Sequence, residues 1–198
     1  MPIKPFKDFE LHSAVDKSII DKYTNVLPNA LITIWKEYGF GCFAKGFLRT
    51  INPDEYQELL KETYANEPSP IPILTTALGD IITWNIEGVG DNEFNFVGIV
   101  CYRDSQDGVL GLILKPNDDY FFTHELTDSS IYEDDLFWDA YIEAVKVHRA
   151  IPKYDECYGY VPLLGLGGSE SVENMRIVKI KEYIMLIKEM LGPVQPET

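Results

Sequence analysis

The side chains able to do acid–base, nucleophilic or metal chemistry are thinly spread in this 198-residue chain. Its three histidines, His12, His124 and His148, stand far apart and form no HExxH or HxH pattern, so no spacing pairs two of them on one helix turn or strand face. His148 falls on the apolar side of an expected helix, the place of a boundary histidine satisfied by a neighbour rather than of a metal ligand. Cys42, Cys101 and Cys157 are odd in number, widely spaced and without a CxxC pair, which argues against a disulfide framework and against a zinc site. No serine lies in a GxSxG elbow. The run Gly165-Leu166-Gly167-Gly168 matches neither GxGxxG nor GxxxxGK[ST] and reads as a tight turn needing positive φ. The pairs Asp118-Asp119 and Asp134-Asp135 lack the alternating ligands and distant bidentate glutamate that a calcium loop requires. A glycosidase-type carboxylate pair depends on a separation in space that sequence does not carry. The expectation is a protein without catalytic, cofactor-binding or metal-ligating residues.

What the chain has in place of such a site is charge. It carries 17 basic and 32 acidic side chains, a net of −15, and the imbalance is uneven. Residues 1–115 have a net charge of −6 and residues 146–198 of zero, while residues 116–145 hold nine acidic side chains and no basic one. A negative field repels phosphate backbones and argues against nucleic-acid binding. The same field speeds the capture of a basic partner, and it also serves solubility. Composition, 45% hydrophobic and 13% aromatic, is that of a globular chain. The N-terminal MPIKPFKDFELHS has no apolar leader and no stretch reaches the ~20 apolar residues of a membrane span, so the expectation is a soluble protein of the reducing cytosol.

The elements that must carry this charge change period along the chain. Residues 13–24 place Val15, Ile19, Ile20 and Tyr23 at helical spacing; Pro28 opens a second helix with Leu31, Ile34, Trp35 and Tyr38 on one face, ended by Gly39. A turn leads to a short strand near 46–51, and Asn52 caps a third helix over Pro53–Thr63. From 73 the pattern is strand-like: 73–77, 81–86, 94–103 and 109–114, separated by Gly79-Asp80, 88–92 and 104–108. Residues 115–130 are polar and turn-rich, the expected boundary between units at 1–115 and 125–198. A helix over 130–149 gathers Phe137, Trp138, Tyr141, Ile142, Val145 and His148 on one face. A strand at 175–179 and a helix at about 181–191 close the chain. The fold class is α+β: N-terminal helices packed on an antiparallel sheet, then a smaller C-terminal α+β unit.

Two segments resemble known families. LPNALITIWKEYGFGCFAKGFLRTINPDEYQELL (27–60) with IPILTTALGDIITW (71–84) resembles the GAD-like domain of bacterial proteins, and its opening is similar to the SMI1/KNR4 group, which includes bacterial immunity proteins. YDECYGYVPLLGLGGSESVENMRIVKIKEYIMLI (154–187) resembles the C-terminal domain of immunity proteins paired with type VI secretion DNase toxins, with Tyr183 where many relatives carry His. The resemblance implies a non-enzymatic, cytosolic immunity protein whose partner is a cognate toxin, a basic nuclease, with no nucleic acid, membrane or cofactor bound. The acidic stretch then becomes the expected toxin-binding surface, with Asp118, Asp119, Tyr120, Asp128, Tyr132, Glu133, Asp134 and Asp135 as its residues; the alternative is that the aromatics are core and the acids a solvated face. A regulatory or tRNA-enzyme-related module, an enzyme with an unrecognised site and a subunit of the secretion apparatus remain the competing readings.

Overall fold

The computed structural model describes residues 6, 8–88, 94–113, 119–127 and 136–196. At its centre is a seven-stranded antiparallel sheet whose strands follow chain order: β1 (Glu10–Ser13), β2 (Phe40–Phe43), β3 (Leu48–Thr50), β4 (Ile71–Thr76), β5 (Ile81–Glu87), β6 (Phe94–Cys101) and β7 (Gln106–Ile113). Helices α1 (Lys17–Tyr23) and α2 (Asn29–Tyr38) lie between β1 and β2, and α3 (Pro53–Thr63) between β3 and β4. The short α4 (Tyr120–Thr123), α5 (Trp138–His148), an antiparallel ribbon of β8 (Glu156–Tyr160) and β9 (Met175–Lys179), and α6 (Ile180–Leu191) complete the chain. The class is α+β, as the change of period implies.

Local sequence accounts for the leading elements. The Asn52 side chain accepts the Asp54 N–H at 3.2 Å, Pro53 occupies the first turn, and Asp54 and Glu55 complement the positive end of the α3 dipole. Gly39 ends α2 at φ 84, and a Cβ there would lie 2.6 Å from the Ser13 carbonyl, so only glycine fits. Two strands were not foreseen. Phe40–Phe43, expected as turn, forms a hairpin with β3, and the turn between them holds Ala44 and Lys45 at positive φ beside Gly46. Neither residue signals that conformation; Asp8 supports it by accepting the Lys45 N–H at 2.5 Å and the Ala44 N–H at 3.3 Å. β1 is exposed at all four residues and so has no alternation to read.

The sheet separates two apolar clusters, and its register shows how. The Ile82–Ile99 pair belongs to one cluster and the adjacent Ile81–Val100 pair to the other, because successive strand residues face opposite sides. The first cluster packs Leu31, Ile34 and Trp35 of α2 and Phe121 and Phe122 of α4 against the sheet, and extends past Phe47 to Tyr141 and Tyr158. The second packs Tyr56 and Leu60 of α3 with Tyr183, Ile184 and Ile187 of α6. Fully burying a Leu, Ile or Phe side chain contributes roughly 1.5–3 kcal/mol. Both clusters draw on residues from 1–115 and from 125–198, so the two segments share their interior. The segments are also joined by backbone: Tyr158 N–H donates to Ala77 O at 2.7 Å, and Val194 N–H to Thr63 O at 2.9 Å.

Candidate functional site

Of the acidic and aromatic residues expected to meet a toxin, Asp118, Asp128, Tyr132, Glu133, Asp134 and Asp135 lie outside the described residues. Asp119 and Tyr120 lie at the start of α4, against the first turn of α2. Pro28 gives α2 no side-chain cap of its own, and Asp119 Oδ1 accepts the Ala30 N–H at 3.0 Å from elsewhere in the chain. Tyr120 is 56% exposed and stacks on His124 with ring centroids 4.7 Å apart. Phe121 and Phe122, by contrast, are core.

A second constellation, built from Asp80 in an expected turn, Arg103 at the end of an expected strand and Asp104 in the turn after it, lies where the β4–β5 and β6–β7 turns meet the residues before α5. Arg103, almost fully buried, donates from Nη1 to Asp80 Oδ1 at 2.5 Å, and its Nε lies 3.2 Å from Asp104 Oδ2. Asp80 is itself fully buried, with Oδ2 accepting the Thr76 hydroxyl at 2.8 Å. The guanidinium lies 4.3 Å from the Phe137 ring centroid, and Nη2 has no hydrogen-bond partner among the described residues. Burial works against the Arg103 charge, but the Asp80 carboxylate more than offsets it and raises the guanidinium pKa. Burial likewise raises the Asp104 carboxyl; Arg103 opposes that, while Asp80 and Glu170 reinforce it. Phe137 is not on the buried face of α5 as expected: at φ 57 it precedes the helix, and the residue is 48% exposed. A left-handed conformation costs a non-glycine residue roughly 1–2 kcal/mol.

The other buried arginine joins sheet to C-terminal segment. Arg49, fully buried on β3, donates from Nη2 to the Pro152 and Lys153 carbonyls at 3.3 Å each, while Nε and Nη1 lack partners among the described residues. Cys42 sits opposite it on β2 and lines a cavity of about 470 Å³ with His12, Lys45, Lys153 and Tyr154. His12 is stacked on Tyr154, centroids 3.9 Å apart. The thiols are poor nucleophiles: burial raises all three, Cys157 to about 12. His148 Nε2 donates to Val172 O at 2.7 Å. In the glycine run only Gly167 has positive φ; a Cβ on Gly168 would lie 2.2 Å from Pro162 O, and one on Gly165 would lie 2.5 Å from Leu191. Among the described residues no group of three or more His, Cys, Asp or Glu side chains is placed to hold a metal ion, and no helix is long and apolar enough to cross a membrane.

Residues 117–191 match the family model described as T6SS immunity protein Tdi1, C-terminal, and residues 3–93 match the GAD-like domain. Among solved structures, the crystal structure of Atu4351 from Agrobacterium tumefaciens superposes with a TM-score of 0.68 at 17% identity, covering 90% of this chain and 84% of that one. At that identity the likeness is one of fold. No functionally curated protein matches the chain by sequence.

Proposed function

Because the chain joins a GAD-like domain to a C-terminal domain of the T6SS immunity protein Tdi1 family, we propose that it binds and neutralises a cognate toxin, acting in the cytosol without catalysis of its own. The match of residues 117–191 to the immunity-protein model carries this reading. The toxin we infer is a basic nuclease. Such an enzyme must draw phosphates to its active site, so the surroundings of that site are positive. A chain of net charge −15 meets that surface with the opposite field, which raises the association rate and lets the bound inhibitor block substrate access.

Asp118, Asp119, Tyr120, Asp128, Tyr132, Glu133, Asp134 and Asp135 are the proposed contacts from the acidic stretch. Tyr120 supports that choice by its exposure. Asp119 has a competing task as the cap of α2.

The test is co-expression with the product of the adjacent open reading frame, chosen as a toxin by its killing of cells when expressed alone. Rescue of growth, together with a stoichiometric complex on gel filtration, is the expected result. Continued killing with no complex overturns the proposal.

A further inference from the structure

Phe137 is held in a way that the core does not require. Leu136 and Tyr141 nearby are buried, yet Phe137 itself is half-exposed. The left-handed backbone at φ 57 directs the ring onto the Arg103 guanidinium, 4.3 Å away, instead of into the apolar cluster with Trp138 and Tyr141. Arg103 is already engaged by Asp80 and Asp104, so it serves as a fixed support under one side of the ring.

Among the described residues, the side chains that ion-pair with the Arg103 guanidinium are both carboxylates. Asp80 and Asp104 both contact the Arg103 guanidinium, and Asp104 is within electrostatic reach of Asp80 and of Glu170. Asp104 and Glu170 are exposed, whereas Arg103 is buried. A partner approaching this end of the sheet therefore meets an aromatic ring seated on a buried guanidinium, with the exposed Asp104 carboxylate beside that guanidinium. Preset aromatic rings of this kind dominate binding energy when they fill a pocket, because little side-chain freedom remains to be lost.

We propose that Phe137 is the anchor by which this protein grips its toxin, inserting into an apolar pocket that lysines or arginines border on a basic protein surface, with Asp104 and Glu170 facing those cations. The proposal rests on the toxin-binding reading above and names the surface that performs it.

The left-handed φ supplies a clean variant. Phe137→Gly removes the ring while favouring the same backbone, so it separates binding from folding. The probe is the product of the adjacent open reading frame that kills when expressed alone, purified as an inactivated variant, with affinity and rates from biolayer interferometry and folding from circular dichroism melts. Phe137→Gly is expected to melt within a few degrees of the parent and to bind at least ~30-fold more weakly, mainly through faster dissociation. Phe137→Trp should retain most of the affinity. Glu170→Lys should slow association several-fold at low salt, with the difference shrinking as salt rises. If the parent binds the toxin and folded Phe137→Gly binds it equally well, the anchor assignment is wrong while the immunity reading stands. If the parent itself does not bind, both fall.

Discussion

The Asp119 carboxylate caps helix α2 from a position eighty-nine residues away, accepting the Ala30 N–H at 3.0 Å where Pro28 provides no cap of its own. Replacing an N-cap acceptor by alanine costs about 0.5–2 kcal/mol. Asp119→Ala should therefore lower the melting temperature by ~2–4 °C per kcal/mol for a chain of this size. Asp119→Asn keeps an acceptor oxygen and removes the charge, so it should stay near the parent. A toxin-binding loss in Asp119→Asn at unchanged melting temperature would mark the charge as part of the interface; a loss confined to Asp119→Ala would mark only the cap.

Gly159 and Tyr183 form a second prediction. A Cβ on Gly159 would lie 2.6 Å from the Tyr183 ring, whose hydroxyl accepts the Tyr160 N–H at 2.9 Å. Gly159→Ala must displace the ring and strand that N–H. Overpacking costs ~1–3 kcal/mol and an unsatisfied buried donor a similar amount. Urea denaturation should show the loss. Combining it with Tyr183→Ala should cost less than the sum of the single changes, since both act on one contact. Strict additivity would contradict the geometry.

Tyr183 also shows what sequence could convey. The departure from histidine at this position was visible, but its partners, Gly159 and the Tyr160 N–H, come from β8, across the ribbon from β9 and α6. Signals confined to neighbouring residues were legible: the Asn52 cap, β4 through β7, and β9 over Met175–Lys179. Signals that depend on distant partners were not. Asp80 falls in an expected turn and Arg103 at the end of an expected strand, and only the fold brings them into one ion pair beneath Phe137. Phe137 followed the helical period into the core, and a single left-handed φ reversed that assignment. Of the expected contact residues, Asp119 and Tyr120 are brought together at α4, Asp119 with a structural partner that no local pattern announces.

Alkaline pH should unfold the protein. Burial holds Tyr23, Tyr141 and Tyr183 at about 12, above the ordinary 10.0, and raises Tyr56, Tyr102 and Tyr154 as well. The folded state thus favours the neutral phenol. That stability is fully present below pH 10 and is lost as pH rises toward 12, where the unfolded chain releases protons that the folded one retains. Tyrosinate absorbance at 295 nm from these residues should appear together with the loss of far-ultraviolet dichroism. Smooth titration near pH 10 with the dichroism intact would contradict the burial.

The Asp80–Arg103 pair gives the sharpest stability test. Removing one partner of a buried ion pair costs ~3–5 kcal/mol, because the remaining charge is left without compensation in a medium that cannot solvate it. Asp80→Ala strands Arg103, which keeps Asp104 at 3.2 Å and the Phe137 ring, so the cost should fall at the lower end of that range. The paired change Asp80→Leu with Arg103→Met removes both charges and refills the volume, and such replacements are often neutral. The Thr76 hydroxyl loses its Asp80 acceptor in either case, a further ~1 kcal/mol. Urea midpoints should therefore rank the parent first, the paired variant close behind, and Asp80→Ala well below both. If Asp80→Ala proves no less stable than the paired variant, the carboxylate is not what makes a buried guanidinium tolerable here. The support beneath the Phe137 ring must then be sought in Asp104 alone.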